Sequence, residues 1–254
     1  MLAFITGASS GLGKQFAKTL SKMGYDLIIS ARDEIKLNKL KEELQTEVKV
    51  IVADLRDERQ ILDLYEKVKD EKIDVFINNA GFGIIGEFWK SDMNTEIDMI
   101  KVNDIAMHIL FKLILKNMIK RKKRGYILNV SSLSGFMPGP LMSSYYATKA
   151  YMLNLTRGVS KELEINNVPI TVSVLCPGPV YTNFADRAGV EFKIKSLSSE
   201  YVVKYALDKL FKKKLVIIPG FFNKCGHVLS KISPTKLVMM VTSKIQKRKF
   251  KVKT

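Results

Sequence analysis

Cysteine and histidine, the residues that build most disulfide and zinc sites, are scarce in this chain of 254 residues, which has two of each. Cys176 and Cys225 form neither the spacing of a metal site nor a disulfide framework, and this is typical of a protein in a reducing cytoplasm. His108 lies in an apolar helical stretch, and His227 has no ligand partner nearby in sequence. We therefore expect two structural cysteines, no metal site and a cytoplasmic protein.

Long hydrophobic runs are also lacking, and no run approaches the roughly 20 apolar residues that cross a bilayer. Residues 1–6 lead directly into a strand and a glycine-rich turn, so we expect no signal peptide or transit sequence. With 46% hydrophobic and 26% charged residues, the chain is able to bury one large core. A single globular domain is therefore expected.

The residues after Asp208 include 13 lysines or arginines and no acidic residue. Of the formal net charge of +17, this leaves +4 for residues 1–208. Residues 221–254 mix nine lysines or arginines with apolar side chains, namely Phe221, Phe222, Val228, Leu229, Ile232, residues 237–241, Ile245 and Phe250. This composition suits an anionic membrane surface. We therefore predict peripheral membrane contact through this C-terminal extension.

Two other interpretations of residues 221–254 stay open. The apolar side chains could pack on the body or on a partner subunit while the lysines stay solvated. Nucleic acid would also satisfy the lysines, but the positive charge lies in one terminal segment without a recognised binding motif. No nucleic-acid partner is therefore expected.

Short apolar runs alternate with amphipathic helical patterns along the chain. The strand candidates are residues 2–6, 26–30, 48–52, 75–77, 126–130, 170–175 and 215–218. The helix candidates are residues 12–23, 33–46, 57–70, 94–120, 145–166 and 198–212. This alternation predicts an α/β fold, a single doubly wound Rossmann domain over residues 1–220 with a seven-stranded parallel sheet and helices on both faces. Ligands then bind beyond the carboxyl ends of the strands.

A glycine-rich turn joins the first predicted strand to the first predicted helix. Glycines at this position let the backbone approach a pyrophosphate, whose charge is met by the free N–H groups of the helix N-terminus. The sequence therefore predicts dinucleotide binding by the turn, with contacts from Gly7, Ser9, Ser10, Gly11, Leu12 and Gly13.

The end of the second strand bears on the choice between NAD and NADP. An NAD site usually places an acid there, whereas Ala31 and Arg32 suit the 2′-phosphate of NADP. We therefore predict NADP, with NAD the less favoured cofactor, although Arg32 could equally be a solvated residue at a helix start. Asp54, just past the third strand, is placed to meet the adenine amino group, and its alternative role is a helix N-cap near Leu55.

Tyr145 and Lys149 are four residues apart in a helical pattern, so they share one helix face. A free phenol has a pKa of about 10, and lowering it by roughly 3 units takes about 4 kcal/mol of differential stabilisation. A fixed cation nearby can supply much of that stabilisation. The pair therefore indicates an acid–base group, and its alternative is a surface tyrosine stacked on a lysine stem.

Three further motifs follow predicted strands, namely Asn-Asn-Ala-Gly at 78–81, Ser132 and Pro-Gly-Pro-Val-Tyr-Thr at 177–182, and Asn103 lies in the predicted helix over residues 94–120. Together with the turn at 6–13 and the Tyr145 and Lys149 spacing, they resemble the short-chain dehydrogenase/reductase family over about residues 1–220, in its bacterial-type, NADP-preferring form. The resemblance implies that Tyr145 is the general acid/base and that Ser132 holds the substrate carbonyl, with Ser131 as the alternative serine.

The resemblance also implies roles for residues around the cofactor. Lys149 is expected to contact the nicotinamide ribose and to lower the pKa of Tyr145, while Asn103 is expected to help order a water that connects Lys149 to solvent. Thr182 is expected to hydrogen-bond the carboxamide. The implied cofactor groove comprises Asn79, Ala80, Gly81, Tyr145, Lys149, Pro177, Gly178, Val180 and Thr182.

The activity implied by the resemblance is NADP(H)-dependent interconversion of a carbonyl and a secondary alcohol in a homodimer or homotetramer. Apolar residues in loops near the strand ends suit a hydrophobic substrate, and they are Phe82, Phe136, Met137, Met142, Phe184 and Phe192. The alternative is that several of them only pack the loops on the body. A 3-oxoacyl, steroid-like or general aldehyde or ketone substrate stays open. The alternative function is a non-catalytic dinucleotide-sensing regulatory or scaffold protein, which has no need of a proton donor.

Overall fold

One parallel sheet of seven strands, in the order β3-β2-β1-β4-β5-β6-β7, forms the centre of the protein. The computed structural model describes residues 1–121, 124–180 and 196–250, with side chains described to residue 247. The strands are β1 (Leu2–Thr6), β2 (Asp26–Ala31), β3 (Val48–Val52), β4 (Ile73–Asn78), β5 (Gly125–Val130), β6 (Ile170–Leu175) and β7 (Val216–Ile217). Each pairs with its neighbours in parallel, which confirms the predicted doubly wound sheet.

Helices connect the strands and cover both faces of the sheet. They are α1 (Gly11–Lys22), α2 (Glu34–Glu42), α3 (Glu58–Glu66), α4 (Met93–Ile100), α5 (Met107–Lys120), α6 (Ser143–Ile165), α7 (Ser199–Phe211), α8 (Phe221–Ile232) and α9 (Thr235–Phe250). The single helix predicted over residues 94–120 is divided by a π-helical segment at Lys101–Ala106, and a 3₁₀ turn covers Leu133–Phe136.

Two apolar layers form because alternate residues of a strand point to opposite faces of the sheet. On one face, Ala3 and Ile5 of β1 pack with residues of α1 and α7. On the other face, Phe4 stacks on Phe76 of β4 with 5.0 Å between ring centres, in a layer with residues of α3 and α5. Burying one such side chain contributes about 1.5–3 kcal/mol to folding. The resulting double layer holds the sheet as a rigid platform.

The strand order reverses at β1, which lies between β2 and β4. In open parallel sheets, the crevice at such a reversal is where ligands bind, beyond the carboxyl ends of the strands. Two predicted motifs leave the sheet at this crevice, the turn after β1 at residues 7–13 and the segment after β4 at residues 79–81. The topology therefore brings together motifs that are about 70 residues apart in sequence.

The C-terminal extension is helical, which the sequence analysis did not predict. We call α8 and α9 the C-terminal helix pair. One side of α9 packs on the body, where Val238, Thr242 and Gln246 are buried. Gln246 Nε2 donates to the hydroxyl of Tyr146 at 2.7 Å, and the Thr242 hydroxyl lies 3.3 Å from the carbonyl oxygen of Pro138. Among the residues that the structure describes, no helix has the length and apolarity to span a bilayer.

Candidate active site

The turn after β1 is compact because it contains glycines in the left-handed region. Gly7 has φ +66° and Gly11 has φ +55°, and residues with a side chain adopt such angles only at a cost. A Cβ added at Gly13 would lie 2.2 Å from the carbonyl oxygen of Gly7, so α1 starts directly against the turn. Within the described residues, no side chain caps the first turn of α1 after Ser10. The turn therefore fits a pyrophosphate bound to the first N–H groups of α1.

Asn79 joins the two loops of the crevice. Its Nδ2 donates to the carbonyl oxygen of Thr6 at 2.9 Å and to that of Gly7 at 3.3 Å. In return, the Thr6 hydroxyl accepts from the backbone N–H groups of Asn79 at 3.0 Å and Ala80 at 3.1 Å. The structure thus assigns Asn79 a positioning contact, because these four bonds keep the glycine-rich turn beside the segment after β4.

Asp54 lies half-buried past β3 and is held by Arg56, whose Nε donates to its carboxylate at 2.9 Å. These bonds, opposed by burial and assisted by the charge of Arg32, lower the pKa of Asp54. The cap of α3 is Asp57, which accepts from the backbone N–H of Arg59 at 2.9 Å. The alternative of an Asp54 N-cap is therefore wrong, and the carboxylate stays ionised near Arg32.

Ser132, Tyr145 and Lys149 come together beyond the end of β5. The hydroxyls of Tyr145 and Ser132 are hydrogen-bonded, and Lys149 Nζ lies 5.8 Å from the centre of the Tyr145 ring. Tyr145 and Lys149 are buried, 8% and 4% exposed. The other candidate serine, Ser131, donates to the carbonyl oxygen of Lys149 at 2.8 Å. Ser131 therefore supports the backbone of α6, while Ser132 lies against the phenol.

The pKa of Tyr145 differs from the sequence-based expectation. Burial raises it above its ordinary value of 10.0, and the hydrogen bond with Ser132 opposes that rise. Lys149 is itself buried, which lowers the pKa of its ammonium to about 8, and Nζ donates to the carbonyl oxygen of Val130 at 3.1 Å. The net shift is therefore upward, because desolvation of the phenolate is the largest effect, and the role of Lys149 in lowering the phenol pKa stays a prediction. The phenol of Tyr145 is therefore protonated near neutral pH.

Asn103 lies in the π-helical segment and is fully buried. Its amide makes a two-way contact with Phe82, accepting from the backbone N–H at 3.0 Å and donating to the carbonyl oxygen at 2.9 Å. Nδ2 also donates to the hydroxyl of Thr148 at 3.0 Å. A Cβ added at Gly81 would lie 2.9 Å from Asn103 Oδ1 and 3.3 Å from Lys149 Nζ. Asn103 therefore fixes the loop after β4 against α6, and its water-ordering role stays a prediction.

The loop after β6 is described as far as Val180. The backbone N–H of Leu133 donates to the carbonyl oxygen of Pro177 at 3.0 Å, and Val180 forms a bridge with Leu197. A Cβ added at Gly178 would lie 2.5 Å from Oδ1 of Asn223 in α8. The predicted residues Thr182, Phe184 and Phe192 lie outside the described residues.

An apolar pocket wall surrounds Tyr145. Its buried members are Met99, Met142, Tyr145 and Tyr146, with Phe82, Ile84, Ile85 and Met137 packed against them. Sequence analysis predicted Phe82, Met137 and Met142 but missed Met99, Ile84 and Ile85, whose only signal is apolar character in the loop and helix after β4. Phe136 lies in a different apolar cluster, where its ring packs on His227 with 3.9 Å between ring centres.

A family model for short chain dehydrogenases matches residues 1–191 of the chain. The chain belongs to the short-chain dehydrogenase family. The matched range contains the glycine-rich turn, Asn103, Ser132, Tyr145 and Lys149, so it includes the whole grouping of Ser132, Tyr145 and Lys149 described above. The resemblance to this family inferred from the sequence motifs is therefore confirmed, while its NADP-preferring form stays a prediction.

Curated and solved relatives support the same family. This short-chain dehydrogenase is 33% identical over 213 residues to an uncharacterized oxidoreductase of Staphylococcus epidermidis, which covers 82% of this chain and 91% of the relative. A short-chain dehydrogenase from Sphingobium yanoikuyae in complex with NADPH superposes with a TM-score of 0.80 at 28% identity, over 92% of this chain and 96% of that one. A bulky-bulky ketone specific alcohol dehydrogenase from Comamonas testosteroni gives 0.77 at 27% identity, over 92% and 94%.

Asp104 is a titratable group of the short-chain dehydrogenase that the sequence analysis missed. It follows Asn103 in the π-helical segment, and its Oδ1 is buried without a hydrogen-bond partner among the described residues. Burial raises the pKa of this carboxyl to about 7, and the positive charge of Lys149 opposes the rise. The available signal in the sequence was an acid directly after Asn103 within a helical pattern. The proton of Asp104 is therefore coupled to the charge of the active-site lysine.

This raised pKa predicts a specific pH dependence of stability. Because the native state binds the Asp104 proton more tightly than the unfolded chain, the contribution to the free energy of unfolding is full below 3.8 and is lost as the pH rises to about 7. Urea unfolding from about pH 4 to about pH 8 should show that Asp104→Asn removes this loss.

The matched control for this experiment is Asp92→Asn at the N-cap of α4. Hydrogen bonds from Thr95 lower the pKa of Asp92 below its ordinary value of 3.8, so its contribution is almost complete at the start of the titration and should stay nearly constant as the pH rises. If the stability difference between wild type and Asp104→Asn is independent of pH, Asp104 titrates like an exposed acid and the inferred rise of its pKa is wrong.

Proposed function

We propose that this short-chain dehydrogenase is an NADP(H)-dependent enzyme that interconverts a carbonyl and a secondary alcohol on a hydrophobic substrate. The observation that carries the proposal is the contact between the Ser132 and Tyr145 hydroxyls, with Lys149 beneath them and an apolar wall around them. This grouping supplies a proton donor and an oxygen clamp, which is what carbonyl reduction requires of the protein.

The crevice is suited to hold the dinucleotide. The glycine-rich turn at residues 7–13 would hold the pyrophosphate, Asn79, Ala80 and Gly81 would line the groove, and Lys149 would contact the ribose. When bound, the nicotinamide supplies or accepts the hydride. The fit rests on the uncapped start of α1 and on the close approach of Gly81 to Lys149.

The protein's own groups then carry the proton chemistry. In the reductive direction, Tyr145 donates its proton to the substrate oxygen, and the Ser132 hydroxyl donates a hydrogen bond to the same oxygen as negative charge develops there. The ammonium of Lys149 stabilises the phenolate that is left on Tyr145. Asn103 acts as a positioning residue through its bonds to Phe82 and Thr148. In the oxidative direction the same proton returns to Tyr145.

The apolar wall supports a hydrophobic substrate, because the residues beside Tyr145 offer methionine, isoleucine and aromatic surface. A relative with the same fold is named for bulky-bulky ketones, which agrees with such a wall. The direct test is a panel of ketones, aldehydes and alcohols assayed by absorbance of the reduced nicotinamide. Turnover of bulky ketones supports the proposal. Binding of NADPH without turnover of any substrate would favour the dinucleotide-sensing alternative.

The preference for NADP rests on Arg32. It lies exposed at the end of β2, and its charge acts on Asp54 across the adenosine end of the crevice. A charge-assisted hydrogen bond to a 2′-phosphate contributes about 1.5–3 kcal/mol. Arg32→Ala should therefore weaken NADPH binding by roughly 10- to 100-fold and leave NADH binding nearly unchanged, as measured by fluorescence titration.

Lys39→Ala, which removes an exposed cation from α2, is the matched control and should alter neither affinity. Equal losses for NADPH and NADH in Arg32→Ala would remove the case for NADP preference.

A homodimer or homotetramer is also proposed, and sedimentation velocity tests it.

A further inference from the structure

The helix α8 carries an apolar stripe that faces away from the protein core. Its members fall within roughly 120° of the helix circumference at 3.6 residues per turn, and they are Phe221, Phe222, Cys225, Val228, Leu229 and Ile232. Amphipathic helices of globular proteins normally turn such a stripe inward. The structure describes every residue of α8, and none of them is buried. Phe222 is 87% exposed and Ile232 is 74% exposed.

The helix α9 adds to this surface while being fixed to the body. Val238, Thr242 and Gln246 are buried on one side, where Gln246 reaches Tyr146. The other side exposes further apolar side chains, which are Leu237, Met239, Met240, Val241 and Ile245. The C-terminal helix pair therefore presents exposed apolar residues from two helices, held in place by a helix that is anchored beside the active site.

The charge of the helix pair identifies the occupant of this surface. Exposed lysines, among them Lys231, Lys236 and Lys244, accompany the apolar residues, and residues 209–254 contain no acid. A second copy of the same surface would bring positive charge against positive charge. An anionic bilayer instead offers negative headgroups for the lysines and acyl chains for the apolar side chains.

We propose that the C-terminal helix pair docks on an anionic lipid bilayer and lies in its interface. The aromatic and aliphatic residues of α8 enter the acyl boundary, and the lysines contact the headgroups. Since Thr242 and Gln246 contact Pro138 and Tyr146, docking places the apolar pocket wall next to the lipid-bound helices. The proposal concerns binding and stands independently of the reaction proposed above.

The test is co-sedimentation of the full-length protein with vesicles of phosphatidylcholine, alone or mixed with phosphatidylserine. Wild type should pellet with the mixed vesicles at low salt and stay in the supernatant with phosphatidylcholine alone. The stripe variant Phe221→Ser/Phe222→Ser/Ile232→Ser and the charge variant Lys231→Glu/Lys236→Glu should each bind at least tenfold more weakly. The matched control Ile35→Ser/Lys39→Glu/Lys41→Glu changes exposed residues of the same types on α2 and should bind like wild type.

Three results would overturn the proposal. Wild type could stay in the supernatant with strongly anionic vesicles, or the stripe variant could bind as well as wild type, which would indicate attraction by charge alone. In the absence of lipid, the stripe variant could sediment as a smaller species than wild type, which would make the stripe a subunit interface. Each variant should unfold at the same midpoint temperature as wild type, which shows that the substitutions leave the fold intact.

Discussion

Tyr145→Phe is expected to lower kcat by about 10²- to 10⁴-fold, the usual contribution of a general acid or base. The phenyl ring can occupy the same buried position beside Ser132, so the dissociation constant for NADPH should change little. The loss belongs to the proton-transfer step because the variant has the ring without a proton to give. Steady-state kinetics on a substrate found in the carbonyl panel, together with a cofactor titration, measure both quantities.

The matched control for this substitution is Tyr151→Phe on the same helix. Tyr151 is 42% exposed and its hydroxyl lies 2.7 Å from Nδ1 of His108, away from the candidate site. It should retain nearly wild-type kcat. If Tyr145→Phe turns over at the rate of Tyr151→Phe, another group donates the proton and the mechanism proposed here is wrong.

The second large effect is expected from Gly13→Ala. The added methyl would lie 2.2 Å from the carbonyl oxygen of Gly7 and 2.6 Å from Nδ2 of Asn79, so the turn and the bond that joins it to β4 must both shift. Overpacking of this kind costs about 1–3 kcal/mol of unfolding free energy. NADPH affinity should fall at least tenfold, because the shifted turn no longer presents the start of α1 to a pyrophosphate. Urea unfolding and cofactor titration measure the two effects.

Gly158→Ala supplies the same chemical change without the crowding. Gly158 lies within α6, and a Cβ there meets no other atom within 4 Å. This variant should gain about 0.5–1 kcal/mol of stability, since alanine favours a helix interior over glycine. Unchanged NADPH affinity in Gly13→Ala would show that the turn does not hold the pyrophosphate.

Much of the fold could be predicted because its signals are local. The strands at residues 2–6, 48–52 and 170–175 have the predicted bounds, since short apolar runs there are bounded by polar or turn residues. The glycine-rich turn and the spacing of Tyr145 and Lys149 are equally local, as each depends on a few neighbouring residues. Parallel pairing then follows from the alternation of strands with helices.

The features that could not be predicted depend on contacts between distant residues. A helical repeat cannot show that Lys101–Ala106 is π-helical, because the change is one extra residue within a turn. The structural role of Ser131 depends on the backbone of α6 18 residues later. Burial raises the pKa of Tyr145, and burial is a property of the assembled pocket. Asp54 was predicted beside adenine without any sign that Arg56 holds it.

Because of the hydrogen bond between Gln246 and Tyr146, the pocket beside Tyr145 cannot be complete until a late part of the chain has been synthesised. Tyr146, the neighbour of the proposed proton donor, is contacted by a residue that is synthesised 100 positions later. At 5–20 residues per second, translation separates the two by about 5–20 s. The strands of the sheet are synthesised before α9, whereas the wall of the pocket acquires its last contacts only after α9 has been synthesised. A nascent chain therefore carries the proposed proton donor before it carries the finished wall.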